Sequence, residues 1–228
     1  MAGKRKGPWS TALALAILVG FVAIRYIDEP TENETPPDNA APVLAQPEAS
    51  GDEAASSPKA VNGYDLFHGC RLVDHRHNDG DSFHVRLSNG EEVELRLYFV
   101  DTPESRRHQY NGERIGHQAR YFGLSSDEAV ELGAEAKHFV LKLLDQGEFS
   151  VFTKWAPVFK SDRFYAFIAV DYEGQKMWLH ELLVKRGYAR IYTEGATMPG
   201  GQKSDAREKV LRGIERDAKD SGVGGWAR

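Results

Sequence analysis

The 228-residue sequence predicts an α+β domain. Three observations carry this: a period-two apolar pattern from Asp81 to Phe99, a helical pattern with a capping signal at Ser125, and two strand-length apolar runs behind it. Phe83, Val85 and Leu87 alternate with Ser82, His84 and Arg86, and Val93, Leu95, Leu97 and Phe99 continue the alternation. This predicts two half-buried strands joined at Asn89-Gly90. Both apolar sets fall on odd numbers, so facing residues sum to an even number and the loop has odd length. Ser88-Asn89-Gly90, with glycine in the left-handed position, meets that condition. Ser125 and Glu128 have the spacing of a capping box, which predicts a helix from Ser126 to Leu144. Strands are expected at 148–155 and 163–171, with "DYEGQ" turning the chain. A short helix at 178–186 and a charged amphipathic one from Lys203 to Asp220 complete the reading.

The amino-terminal part has a different character. Lys4, Arg5 and Lys6 precede an uncharged run from Gly7 to Ile24, 18 residues, close to the ~17 that cross a bilayer. No convincing small-x-small site ends the run, so residues 1–27 read as an uncleaved anchor in preference to a cleaved signal. Basic residues before a span hold the amino terminus in the cytoplasm. The expected location is therefore the cell envelope, with the domain outside the cytoplasm, or secretion if the segment is removed. Residues 28–60 are rich in Pro, Ala, Ser and acid and cannot bury enough apolar surface to fold. As a coil these 33 residues span roughly 30 Å. They read as a disordered tether to a domain at 61–228.

The net charge of −5 is unevenly spread. Residues 1–27 hold four basic and no acidic side chains, and 28–60 hold eight acidic and one basic, which leaves 61–228 at −2. The domain lacks the broad basic face of tight phosphate-backbone binders, so any polyanion contact is local. A single cysteine, Cys70, excludes an internal disulfide and a multi-cysteine zinc site, and it is given no role. His75 and His77 would hold a transition metal only with a third ligand, which the sequence does not offer at useful spacing.

Asp81 and Asp101 are also odd-numbered, so both continue the inward side at the open end of the hairpin. Unpaired carboxylates rarely face a core. The ladder leaves them roughly 7–13 Å apart at 3.3 Å per residue, and a bend must close the gap. Pro103 is expected to supply it, freeing the Thr102 carbonyl from regular pairing. Two carboxylates, a carbonyl and nearby Glu104 form an oxygen-only set of the kind calcium prefers, while the spacing excludes an EF-hand. The alternative is a hydrogen-bonded Asp-Gly-Asp turn followed by a strand that stops at proline.

"DGDSFHV" followed by "LRLYFVDTPES" resembles the two signature segments of the staphylococcal nuclease (thermonuclease) family. The similarity continues through "GAEAKHFV", "SDRFYAFIAV", "LHELLVKRGYARI" and the last helix to about Trp226. The resemblance implies a five-stranded OB-fold-type β-barrel with packed α-helices. It implies a calcium-dependent phosphodiesterase that hydrolyses DNA and RNA with little sequence specificity and leaves 3′-phosphate ends. Its metal ligands would be Asp81, Asp101 and the Thr102 carbonyl, and its catalytic set Arg96, Glu104 and Arg163. Calcium and two guanidiniums suit the charge that builds on a phosphodiester under attack, and a planar guanidinium holds two phosphate oxygens at once. Glu104 would either take a proton or orient the water. No protein partner is implied, and a monomer is expected. The alternative is a catalytically weak, nucleic-acid-binding nuclease-like module.

Alternation alone puts Arg96 on the outward side, opposite the aspartates, where it reads as a solvated cross-strand partner unless barrel curvature turns it in. Arg163, at the start of an apolar strand, reads as surface. The segment after Glu104 is longer than in the smallest family members and carries Arg106, Arg107, Arg114 and Arg120 among aromatic side chains. It forms either a basic lip over the cleft or an elaborated surface loop. Ser161 and Thr193 stand near where the family's nucleotide-contacting tyrosines are expected.

Overall fold

The computed structural model describes residues 59–227; the expected anchor and all but the last two residues of the tether lie outside them. Those two, Lys59 and Ala60, pair with Leu66 and Asp65, so regular structure begins slightly earlier than composition indicates. Among the described residues no helix is long and apolar enough to cross a membrane.

The elements run in chain order β1 (Lys59–Val61), β2 (Tyr64–Leu72), β3 (Ser82–Arg86), β4 (Glu92–Leu97), β5 (Val100–Asp101), α1 (Gly112–Phe122) and α2 (Ser126–Asp145). They continue as β6 (Phe149–Pro157), β7 (Phe164–Tyr172), β8 (Gln175–Trp178), α3 (Leu179–Lys185), β9 (Arg190–Ile191) and α4 (Ser204–Asp220), followed by a 3-10 turn at Gly224–Ala227. The sheet order is β1-β2-β3-β4-β7-β6, and β6 also pairs with β2. Strands β2, β3, β4, β7 and β6 therefore form a closed ring, the α+β, OB-like architecture expected. Its neighbours are antiparallel except β4 and β7, which run parallel with Leu95, Arg96 and Leu97 facing Phe164, Tyr165 and Ala166. A parallel pair needs a long crossover, and α1, α2 and β6 provide it. Phe83, Leu95, Leu97, Val151 and Phe167 fill the core, together with Val140 and Leu144 of α2 and Leu179 and Leu183 of α3.

The hairpin has the register its alternation requires, with Phe83 facing Leu95 and Val85 facing Val93. The Leu87 N–H donates to the Glu91 carbonyl at 2.8 Å and closes the three-residue loop, in which Gly90 has φ 89°. The capping box of α2 forms: Ser125 N–H donates to Glu128 Oε2 at 2.8 Å and Glu128 N–H to Ser125 Oγ at 3.3 Å.

Three features differ from expectation. The bend that gathers the aspartates lies at Phe99, φ 68°, and not at Pro103. The Phe99 N–H donates to the Glu194 carbonyl at 2.8 Å and its carbonyl accepts from Tyr192 at 2.9 Å, so the carboxy-terminal segment pulls the chain out of β4 and into the β5–β9 pair. Strand β2 was not legible because Gly69 (φ 68°) and a register shift between Phe67 and Cys70 break its alternation. The segment after Glu104 holds helix α1, and Arg106 borders a cavity beside Asp79 and Glu104. Arg107 pairs with Asp127 at 2.5 Å and Arg120 meets His117 Nδ1 at 3.0 Å, while Arg114 points at the acids.

Candidate active site

Two close backbone approaches assemble the centre. Asp81 sits in the bend before β3, next to Gly80, where an added Cβ would come within 2.7 Å of Thr102 Oγ1. On the other side α2 lies against Pro103 and Glu104 at Gly133, where an added Cβ would be 2.4 Å from the Glu104 carbonyl oxygen. The absence of a side chain at both positions is what lets the loop and the helix clamp the 101–104 segment. The Thr102 N–H then donates to Asp81 Oδ2 at 2.8 Å.

Arg96 faces Ser82 in the ladder, yet it is buried and not solvated. Its Nη1 donates to Asp81 Oδ1 at 2.7 Å and its Nη2 to Asp101 Oδ1 at 2.9 Å. The alternation argument fails because Asp81 precedes the first ladder residue of β3 and the left-handed Phe99 resets the alternation before Asp101. Arg163 also comes in from the surface position expected of it. Its Nη1 donates to Ser82 Oγ at 3.2 Å, the same oxygen that Arg96 Nη1 reaches at 3.2 Å. That hydroxyl donates in turn to Asp81 Oδ1 at 3.3 Å. The parallel β4–β7 pairing, one residue after Arg163, brings the two guanidiniums together.

Glu104 is held from α1. Its Oε2 accepts from Asn111 Nδ2 at 3.0 Å, and its Oε1 lies 3.1 Å from Arg114 Nε. The structure thus gathers all six expected residues. It adds three that sequence reasoning missed, Asn111, Gln118 and Arg190, and turns Arg114 from a lip residue into a partner of the acids. Gln118 is fully buried; its Nε2 donates to Asp101 Oδ2 at 2.9 Å and to the Thr102 carbonyl at 3.0 Å, and its Oε1 accepts from Glu104 N–H at 3.0 Å. Arg190 Nε donates to Asp101 Oδ2 at 2.8 Å. The available signal was the spacing of Asn111, Arg114 and Gln118 beside apolar Ile115, Ala119 and Phe122, one helical face with a polar border.

Charge is unequally shared between the two aspartates. Burial pushes the Asp81 carboxyl up, with repulsion from Asp101 adding to it, and Arg96, the Thr102 N–H and Arg114 do not offset the rise. Burial would also raise Asp101, but Arg114, Arg96, Gln118 and Arg190 outweigh it and hold it below the usual carboxylate range. Nearby Asp79 is pushed up to about 6 by burial and by the charges of Asp81 and Glu104. Asp81 is therefore the under-compensated acid, and a cation beside it would offset its charge. The donors are of the right chemistry: two carboxylates converge on one guanidinium, and the Thr102 carbonyl shares the Gln118 amide with Asp101. Among the described residues no three His, Cys, Asp or Glu side chains form a metal cluster, so calcium, with six to eight oxygens, would complete its shell with water. The His75 ring packs on His77 and His84 with centroids 4.9 and 3.7 Å away, so a third histidine joins the pair, but among the described residues no three such side chains form a group that could hold a metal. Burial pushes the Cys70 thiol up to about 12 and keeps it protonated.

A family model described as staphylococcal nuclease homologue matches residues 94–228, more than half of the chain. The chain belongs to the staphylococcal nuclease family. The matched residues contain Arg96, Asp101, Thr102, Glu104 and Arg163, and Asp81 joins them through Arg96 and the Thr102 N–H. An uncharacterized protein of Methanocaldococcus jannaschii is 33% identical over 153 residues, covering 65% of this chain and 67% of that protein. In this member of the staphylococcal nuclease family the residues at the expected tyrosine positions serve the backbone and the site: Ser161 Oγ accepts from Arg163 Nε at 3.3 Å, and Thr193 Oγ1 donates to the Leu97 and Val100 carbonyls. Tyr192 is 67% exposed, with the Arg190 guanidinium 3.8 Å from its ring centre.

Proposed function

We propose that the chain is a calcium-dependent phosphodiesterase that hydrolyses DNA and RNA with little sequence specificity and leaves 3′-phosphate ends. What supports this above all is the meeting of Arg96 and Arg163 at the Ser82 hydroxyl beside Asp81. Asp81, Asp101 and the Thr102 carbonyl would hold the ion, whose charge offsets that building on the phosphodiester. Arg163 touches only hydroxyls and has no acid partner among the described residues, so its terminal nitrogens can turn to two phosphate oxygens. Arg96, locked between both aspartates, keeps them in register and adds positive charge behind the phosphate. Glu104, its side chain 16% exposed, either takes a proton from water or orients it. Residues 1–27 and 28–60 would anchor and tether this domain outside the cytoplasm as a monomer.

The test is digestion of denatured DNA and of RNA by the full chain, with calcium and with a chelator. Hydrolysis that requires calcium and yields 3′-phosphate ends is expected. Activity indifferent to chelator rejects the calcium assignment. Retention of nucleic acid without turnover at saturating calcium favours the catalytically weak binding module instead.

A further inference from the structure

We propose that Arg114 of α1 is the donor that yields Asp101 to a divalent cation, releasing a third guanidinium to the phosphodiester. This rests on the calcium reading above. A carboxylate has about four acceptor sites, and at Asp101 four donors use them. Arg96 and Arg114 donate to Oδ1 at 2.9 and 2.6 Å, and Gln118 and Arg190 donate to Oδ2 at 2.9 and 2.8 Å. A cation gains an Asp101 oxygen only when one of these donors leaves.

Three of the four are held fast. Gln118 is 0% exposed, with its remaining hydrogen-bonding groups committed to the Thr102 carbonyl and the Glu104 N–H. The side chains of Arg96 and Arg190 are 9% and 6% exposed, and Arg96 is also tied to Asp81 and Ser82. Arg114 alone is half-exposed, at 45%. Its contacts are also divided in a way that permits a pivot: Nη2 serves Asp101, and Nε serves Glu104 at 3.1 Å. Nη2 leaves Asp101 while Nε stays with Glu104, so the terminal nitrogens swing toward solvent on the side where Glu104 would address water. Repulsion from a divalent cation drives this swing, and an anionic phosphate oxygen is the natural acceptor at its end. Neither Arg120, paired with His117, nor Arg107, paired with Asp127, reaches any of these acids.

The deciding measurement is calorimetric titration of the full chain with calcium, which reads affinity without turnover. Arg114→Met removes the competing donor and is expected to bind calcium about tenfold more tightly than wild type, while kcat at saturating calcium falls at least tenfold. Arg114→Lys, keeping one charge without the fork, should fall between the two in affinity, and Arg120→Gln should match wild type. Unchanged or weaker binding in Arg114→Met, when wild type does bind, overturns the proposal alone. Absence of binding by both overturns it together with the calcium reading. Tighter binding by Arg114→Met from a wild type that hydrolyses nothing supports the exchange at Asp101 and removes only the phosphodiesterase reading.

Discussion

The Arg96 guanidinium joins Asp81 and Asp101, 2.7 Å from one carboxylate and 2.9 Å from the other. Removing it would leave two buried negative charges side by side. Loss of one partner from a buried ion pair costs about 3–5 kcal/mol, and Arg96→Met should be destabilised by an amount of that order in the presence of chelator. Calcium should restore part of the loss, because a ligand that binds only the folded state stabilises it. Denaturant titrations with and without calcium measure both effects, and no recovery would count against a shared cation at these acids.

Gly133→Ala should destabilise, although alanine in an ordinary helix gains up to about 1 kcal/mol over glycine. The new Cβ would lie 2.4 Å from the Glu104 carbonyl oxygen and 2.5 Å from that of Pro103, and overpacking of this kind costs about 1–3 kcal/mol. Glu104 moves with its backbone, so hydrolysis should fall by more than tenfold. Gly213→Ala in α4, where the nearest atom is the flexible end of Arg216 at 3.8 Å, serves as the opposite case and should be neutral or stabilising. Equal melting temperatures for the two variants would contradict the packing argument.

Gln118→Leu keeps roughly the volume but strips partners from Asp101, from the Thr102 carbonyl and from the Glu104 N–H. Leaving a buried polar group unsatisfied costs about 1–3 kcal/mol, so the variant should lose at least about 2 kcal/mol in equilibrium unfolding. Wild-type stability in this variant would mean that the three groups find other partners.

His180 predicts a pH effect outside the acid cluster. It is fully buried among Phe99, Phe167 and Trp178, and Arg207 donates to its Nε2 at 3.2 Å. Burial first, and the Arg207 charge second, hold its pKa well below 6.5. Below pH 6.5 the unfolded chain therefore binds a proton that the folded chain refuses. The stability contribution is intact above that pH and declines by about 1.4 kcal/mol per unit as pH falls toward the folded pKa. The difference in unfolding free energy between wild type and His180→Gln should shrink by that slope from pH 6.5 to 5; a pH-independent difference would refute it.

The parts of the fold legible in the sequence are those where one local rule acts alone. Phe83 to Leu97 obeys period two because both strands have one face in the core, and α2 announces itself through Ser125 and Glu128. Asp81 and Asp101 were legible through period two and, with Thr102 and Glu104, through the oxygen-only set at the hairpin's end, whereas Arg163 was legible only through the quoted motifs. Arg96 defeated alternation because the left-handed Phe99 depends on backbone partners at Tyr192 and Glu194, far along the chain. Helix α1 was hidden for a related reason. Gly112 and Gly116 weaken its helical propensity, and Asn111 uses its side chain on Glu104 and the Arg106 carbonyl instead of capping. Its polar border has meaning only once the acids it serves are in place.

The parallel partnership of β4 and β7 also dictates when the molecule becomes competent. The Asp81 hairpin is local in sequence, whereas Arg163 follows the whole crossover and β6, which pairs with β2. Arg190 and the backbone that bends Phe99 arrive later still. A partly made or clipped chain would therefore lack the assembled cluster of Asp81, Arg96, Asp101 and Arg163, whose integrity rests on nearly every element at once.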